Sequence, residues 1–263
     1  MAREVWAQGD AYEAYVGRWS RRVAAPFVRW LDVPAGRRWL DVGCGTGALS
    51  ATVLTLTEPA EVTGVDPSTG FLAAAHAQVA DPRVSFLAGD ARALPLPAAR
   101  YDVVVSGLAL NFVPAPEVAA AELARVAAPG AVVAAYVWDY AEGMELMRHF
   151  WDAAVALDPD GAEHHEGRRF PICRPGPLRA LWSDAGLRGA SVEAIDIPTV
   201  FTGFADYWEP FLGGQGAAPA YAMSLGEERR AALRDLLRDR LPANPDGTIA
   251  LTARAWAVRG NAT

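Results

Sequence analysis

Through the first half of the chain, short apolar runs alternate with stretches whose apolar residues recur at helical spacing. Arg38–Val42 (RWLDV), Glu61–Val65 (EVTGV), Arg83–Leu87 (RVSFL), Tyr101–Ser106 (YDVVVS) and Ala131–Val137 (AVVAAYV) are the apolar runs. Their brevity and near-continuous apolar character predict strands covered on both faces. Between them, Ser68–Ala80 sets Phe71, Ala75 and Val79 on one helical face, and Pro116–Ala127 reads as a helix ended by Pro129-Gly130. Ahead of the first strand, Tyr12–Leu31 reads as helical with a break near Pro26. Strands and helices alternating at these intervals predict βαβ units and a mainly parallel sheet.

The second half has a different pattern. Glu142–Leu157 reads as a helix, Asp158–Pro177 as a loop rich in Gly, Pro, His and Arg, and Gly176–Ala185 as a helix stopped by Gly186. Ser191–Phe201 reads as a strand and Gly203–Leu212 as an aromatic helix. Ser224–Leu241 reads as a helix opened by a capping box of Ser224 and Glu227, with Leu233, Leu237 and Leu241 on its apolar side. Thr248–Val258 is the last strand. The organisation expected is one domain over residues 1–263. It has a helical segment at 1–37, a nucleotide-type core at 38–140, and cap or lid insertions at 141–189 and 202–247.

Composition narrows the function. Hydrophobic residues make up 52% of the 263, enough to bury a substantial core, yet no run approaches the ~20 apolar residues that span a bilayer. The opening MAREVWAQGDAYEAY carries acids and no apolar signal segment, so the expectation is a cytoplasmic protein with no membrane partner. The formal charge is −7, and all 24 basic residues are arginines without a basic run, a poor fit to a nucleic-acid backbone. Cys44 and Cys173 stand apart without ligand spacing, so neither a disulfide framework nor a structural metal is expected.

The densest chemical signal is Trp39–Ser50, WLDVGCGTGALS. A strand runs into three glycines at alternate positions and then into a helix, whose N-terminal N–H groups favour an anionic ligand. The stretch is compatible with a bare tight turn. It also fits dinucleotide binding, since Gly43-x-Gly45-x-x-Ala48 satisfies the looser fingerprint. Asp41, two residues before the first glycine, would repel a pyrophosphate yet could receive the ammonium of a methionine moiety. Asp66 ends the second strand, where a carboxylate can accept two ribose hydroxyls, a role that fits NAD equally. Asp90, past the third strand, can accept from an adenine amino group while the Ala91 N–H meets a ring nitrogen. Each acid alone also fits a helix cap or turn former.

Taken in order, LDVGCGTG (Leu40–Gly47), GVDPS (Gly64–Ser68), GDARALPLPAARYDVVVSGLALNFVPAP (Gly89–Pro116) and LARVAAPGAVVAA (Leu123–Ala135) resemble the class I S-adenosylmethionine-dependent methyltransferases. The likeness is greatest to the small-molecule branch related to ubiquinone/menaquinone methyltransferases. It covers roughly residues 38–140, and YEAYVGRWSRR (Tyr12–Arg22) is similar to the opening of such proteins. The resemblance implies a Rossmann-like seven-stranded sheet in the order 3-2-1-4-5-7-6, strand 7 antiparallel, flanked by helices and topped by a helical lid. It also implies S-adenosyl-L-methionine as cofactor and S-adenosyl-L-homocysteine as product. On matching positions, Asp41, Gly43 and Gly45 would line the methionine portion with Cys44 beside it. Asp66 would hold the ribose, Pro67 and Ser68 the wall, and Asp90 and Ala91 the adenine. Ser106 and Leu108 would flank the sulfonium end, and Arg18 or Trp19 would close over the cofactor.

Methyl transfer from a sulfonium is an in-line displacement, which needs positioning more than a dedicated catalytic group. The acceptor is expected near Asn111, Phe112 and Trp138, with Tyr207, Trp208 and Phe211 offering flat aromatic faces or else forming lid core. Asp139 either orients or deprotonates the acceptor or caps the helix before Glu142. His165, beside His164 in a cap loop, is either a base or an exposed loop histidine, while His76 and His149 read as helix-surface residues. Neither a metal nor a covalent nucleophile is implied. The expected partner is a small molecule, the expected state a monomer or homodimer. An adenine-methylating Asn-Pro-Pro-aromatic tetrapeptide is absent, Asn111-Phe112-Val113-Pro114 being different. Two other functions fit the cofactor motif: a cofactor-binding module without turnover, and a nicotinamide oxidoreductase.

Overall fold

The computed structural model describes residues 13–214 and 216–263, so Tyr12, where the leading helix was expected to begin, lies outside them. A π-helical turn, Glu13–Gly17, leads into α1 (Arg18–Leu31). There follow β1 (Arg38–Val42), α2 (Ala48–Leu56), β2 (Glu61–Asp66), α3 (Thr69–Gln78), β3 (Val84–Ala88), β4 (Tyr101–Gly107), α4 (Pro116–Val126) and β5 (Ala127–Trp138). The second half contributes α5 (Glu145–Leu157), α6 (Glu166–Arg169), α7 (Pro175–Asp184), β6 (Arg188–Phe201), α8 (Phe204–Trp208), α9 (Ala217–Ser224), α10 (Glu227–Arg240) and β7 (Ile249–Asn261).

The seven strands form one sheet in the order β3-β2-β1-β4-β5-β7-β6, with β7 antiparallel, as the resemblance implied. Parallel pairing runs β3-β2-β1-β4-β5, and register sets Asp41 beside Gly64 on one side and Val105 on the other. Residues 39–42 of β1 are all buried, which is why this strand reads as an uninterrupted apolar run. β7 instead alternates, burying Ile249, Leu251, Ala253, Ala255 and Ala257 while Ala250 and Thr252 face out. Among the described residues, no helix is long and apolar enough to cross a membrane.

The chain divides into two compact units. The larger comprises Arg21–Val137, Ile172–Ile195 and Ala255–Thr263. Its core is built from Trp39, Leu40, Val103, Val104, Val105, Val133 and Ala134, all fully buried, with Val23, Ala24 and Phe27 of α1 buried as well. α7 falls in this unit although it lies within the expected 141–189 insertion, and its Trp182 indole donates to the Val133 carbonyl at 2.9 Å. The smaller unit comprises residues 13–20, Trp138–Pro171 and Asp196–Arg254. Phe150 and Phe211 stack at its centre, 4.5 Å apart, and Leu233 and Leu237 of α10 are buried as their spacing predicts.

Four local expectations are corrected. α1 continues through Pro26 without a break. Its buried face, with Phe27 against Tyr136 at 4.6 Å, offsets the ~3 kcal/mol that an interior proline costs. Pro129-Gly130 does not end a helix; α4 stops at Val126, and both residues lie inside β5. There the register with β4 jumps from Tyr101–Ala127 to Val103–Val132. Gly130, at φ 78°, donates to the Ala262 carbonyl instead, so the irregularity is hydrogen-bonded. Ser224 does not cap α10: its hydroxyl donates to the Tyr221 carbonyl, ending α9, and Gly226 takes the cap position. The loop expected over Asp158–Pro177 contains a 3-10 turn, Pro159–His164, and the short α6.

The Trp182–Val133 hydrogen bond is buried, so Trp182→Phe should destabilise the protein by about 1–3 kcal/mol through the unpaired carbonyl. Urea unfolding checks this; an unchanged midpoint would contradict it.

Candidate active site

The turn after β1 is fixed from neighbouring strands. The Gly43 and Cys44 amides both donate to the Val65 carbonyl of β2, at 2.7 and 3.1 Å. Gly43 sits at φ 75°, and a Cβ there would collide with the Ala109 methyl, so conformation and space both demand glycine. Gly45, at φ 52°, is different: a Cβ there would meet nothing within 4 Å. Its surroundings are open, as a ligand-approached backbone requires.

Two acids frame this turn. Asp41 is 1% exposed, and its Oδ2 accepts the Ser50 hydroxyl at 2.7 Å. Its Oδ1 is buried and has no hydrogen-bond partner among the described residues. Burial pushes Asp41 up to about 7, the Ser50 hydroxyl opposing the shift and the neighbouring Asp66 charge adding to it. Asp66 accepts the Gly45 amide on Oδ2 at 2.9 Å and the Ser68 amide on Oδ1 at 2.8 Å. Burial raises this carboxyl too, and the two amides counter it. Burial also drives the Cys44 thiol far up, which keeps it protonated and unreactive.

The remaining positions in this unit fall around that centre. Pro67 is exposed, and Ser68 spends its hydroxyl capping α3, accepting the Phe71 amide at 3.3 Å. Asp90 is half-exposed and gripped side-on by Arg92, whose guanidinium holds its carboxyl down at about 2. Ala91 follows, half-buried. Ser106 is buried at the end of β4. Leu108 holds φ 55°, a strained value for a bulky residue, and donates its amide to the Tyr136 carbonyl at 2.8 Å. Asn111 is 8% exposed with its Nδ2 buried and unpartnered, while Phe112 is exposed. An unpartnered buried acceptor, open space at Gly45 and acids at the ends of β1, β2 and past β3 fit S-adenosylmethionine.

The other expected positions lie in the smaller unit, except His76, which is on α3 of the larger one. Trp138 and Asp139 are buried, and Asp139 Oδ1 accepts the Ala141 and Glu142 amides at 3.2 and 3.1 Å, bracing the turn that leads to α5, whose own cap position is Met144. His165 caps α6 by accepting the Gly167 amide on Nδ1 at 2.9 Å, its ring stacked on Trp151. His76 is exposed on α3, and His149 is half-buried on α5, where burial lowers its pKa. Tyr207 and Phe211 are fully buried and Trp208 nearly so, and the Tyr207 hydroxyl donates to the Leu146 carbonyl at 2.8 Å. Arg18 pairs with Asp206 at 2.7 Å, its guanidinium over the Trp19 ring.

Two residues of consequence escaped the sequence reading. Ser50 carries no motif signal, because its relation to Asp41 depends on how α2 returns past β1. Arg92 had one: the Asp-x-Arg spacing of Asp90–Arg92 recurs in Asp81–Arg83, which forms the same bidentate pair.

The chain is similar to known methyltransferases. The family described as "Methyltransferase domain" matches residues 40–135. A malonyl-[acyl-carrier protein] O-methyltransferase of Enterobacter lignolyticus is 35% identical over 222 residues, covering 84% of this chain and 78% of that protein. A 2-methyl-6-phytyl-1,4-hydroquinone methyltransferase of Synechocystis is 34% identical over 124 residues, covering 47% of this chain and only 39% of that protein. In fold, a phosphoethanolamine N-methyltransferase 2 of Haemonchus contortus, solved with S-adenosyl-L-methionine, superposes with a TM-score of 0.60 at 18% identity. That match covers 97% of this chain and 56% of that one.

Asp41 should cost the fold stability when ionised. Its folded-state pKa lies above the reference value of 3.8, so the penalty grows as pH rises and is complete above about 7. Without cofactor, Asp41→Asn should be more stable than the parent at pH 8 by about 1–3 kcal/mol, the difference narrowing towards pH 5. Thermal unfolding at the two pH values tests this; a gap that does not change with pH would contradict it.

Proposed function

The chain belongs to the class I S-adenosylmethionine-dependent methyltransferases, in their small-molecule branch, and we propose that it transfers the sulfonium methyl to an oxygen, nitrogen or carbon of a small-molecule acceptor. The observation that carries this reading is the buried Asp41 Oδ1, an acceptor with no partner among the described residues, taken together with the open space at Gly45 in the same turn-bearing segment. A dinucleotide's pyrophosphate would meet repulsion there; an amino-acid ammonium would meet an acceptor.

When bound, the cofactor supplies a methyl group on a good leaving group, so the protein's work is placement and exclusion of water. In this reading Asp41 accepts the ammonium, directly or through water. Gly43 and Gly45 leave room for the methionine chain, with Cys44 packed beside it. Asp66 receives the ribose hydroxyls on lone pairs that the Gly45 and Ser68 amides leave free, and Pro67 and Ser68 shape the wall. Asp90 and the Ala91 amide read the adenine, Arg92 keeping Asp90 ionised as an acceptor. Ser106 and the Leu108 backbone flank the amino-acid end.

On the acceptor side, Asn111 contributes its unpartnered Nδ2 and Phe112 its exposed ring. For the smaller unit we propose a cap that selects the acceptor, opening with Trp138 and Asp139 and stiffened by Tyr207, Trp208 and Phe211. Arg18 stays outside this proposal because Asp206 engages it, and Trp19 with it. A base is needed only for an acceptor that keeps its proton. His165 spends Nδ1 on the Gly167 amide, which leaves the proton of the neutral ring on Nε2 and makes that nitrogen a donor. Asp139 Oδ2 makes no hydrogen bond among the described residues, so Asp139 is the better candidate.

The test is release of S-adenosylhomocysteine with an acceptor panel spanning a malonyl carrier-protein thioester, hydroquinones and simple amines. The first two classes follow the relatives named above. Release with one class supports the proposal and names the acceptor. Tight cofactor binding without release across the panel would favour a binding module without turnover. Independently, Asp66→Ala should weaken cofactor binding by about 1.5–3 kcal/mol, the worth of hydrogen bonds to a charged group. Calorimetry reads this, and unchanged affinity would contradict the ribose assignment.

A further inference from the structure

We propose that Ser50 and Asp41 form a proton-coupled anchor, in which Ser50 positions the carboxylate and cofactor binding expels a proton that Asp41 otherwise holds. The inference rests on the reading that Asp41 receives the cofactor's ammonium. Ser50 lies in the first turn of α2, fully buried, and donates its single hydroxyl proton to Asp41 Oδ2. That bond turns the other oxygen, Oδ1, into a site that is buried and unpartnered. A buried ionised oxygen without a partner is costly, so either a proton or a cation must occupy it.

Among the described residues, the groups facing Asp41 supply no cation. β2 presents Asp66, a like charge, and the glycine turn presents Cys44, a neutral thiol. β4 places Val105 opposite Asp41 in register, and α2 contributes the Ser50 hydroxyl and, more weakly, the Ser50 amide, both neutral donors. The resident counter-charge is therefore a proton, held by about half of the molecules near neutral pH, where burial has moved this carboxyl. On binding, the neutral acid becomes a carboxylate paired with the ligand ammonium, and one proton leaves to solvent. Charge and atoms balance without any further reactant. Ser50 touches neither the ligand nor the reacting atoms in this scheme; it is a positioning residue.

The experiment is calorimetric titration with S-adenosylhomocysteine from about pH 5.5 to 8.5, in two buffers of different ionisation enthalpy. The parent protein should lose about tenfold in affinity per pH unit below pH 7 and level off above it, releasing close to one proton at the acid end and almost none at the alkaline end. In Ser50→Ala the ionised form loses its hydroxyl donor and keeps only the weaker amide, so the midpoint should move up by about one pH unit. Ser50→Thr, which keeps the hydroxyl, should restore the parent midpoint. A merely structural Ser50 would lower affinity equally at every pH. Asp41→Asn should bind weakly with a flat profile. A flat parent profile without proton release, or pH dependence that persists in Asp41→Asn, overturns the anchor. If Asp41→Asn then still weakens binding at pH 8, the ammonium assignment survives; if it binds as the parent does, that assignment fails too. Should Ser50→Ala not fold, the parent proton count and the Asp41→Asn profile decide the matter.

Discussion

A single carboxylate joins two segments that strand pairing alone would leave independent. Asp66 accepts the Gly45 amide with one oxygen and the Ser68 amide with the other, tying the turn after β1 to the start of α3. The same turn hangs from the Val65 carbonyl by two amides and rests at Gly43 on Ala109. Held from β2 and from the segment after β4, its left-handed glycines have one conformation available. The first turn of α2, and with it Ser50, is placed by that conformation.

This arrangement opposes folding. Asp41 and Asp66 are both buried and both raised in pKa by that burial, and the Asp66 charge further disfavours ionisation of Asp41. Among the described residues no arginine answers Asp41, although this chain pairs arginines with acids on its surface, as at Asp81, Asp90 and Asp196. Sites that keep an unanswered charge commonly trade stability for function. Here the deficit has a sign, negative, and a location, the end of β1. A ligand that brings a positive amino group relieves both the desolvation of Oδ1 and the repulsion between the two acids.

The parts of this picture that were legible in the sequence are those governed by local rules. Strands buried on both faces read as apolar runs, so β1 through β5 and the sheet order implied by their motifs were accessible. The glycine turn was accessible because tight turning restricts residue type at fixed spacing, and its acids because they fall at or just past successive strand ends. What escaped depends on distant partners. Pro26 reads as a break until Phe27 is seen packing on Tyr136, and Pro129-Gly130 reads as a stop until Ala262 supplies the missing pairing. Ser224 and Glu227 have capping-box spacing, but the preceding helix claims the serine first. Tyr207, Trp208 and Phe211 show why acceptor chemistry is hardest to read. Aromatics at that spacing suit either a ligand wall or a packed core, and here two of the three are fully buried.

The central claim is that the acids at the ends of β1 and β2, and the one past β3, hold one adenosyl sulfonium around the glycine turn. A crystal structure of the complex with S-adenosylhomocysteine tests it most directly. The account predicts the amino group at Asp41 Oδ1, the ribose at Asp66 and the adenine at Asp90 and Ala91, with the Asp66–Gly45 bond intact. A ligand bound away from this turn, or one whose carboxylate rather than its amino group faces Asp41, would contradict it.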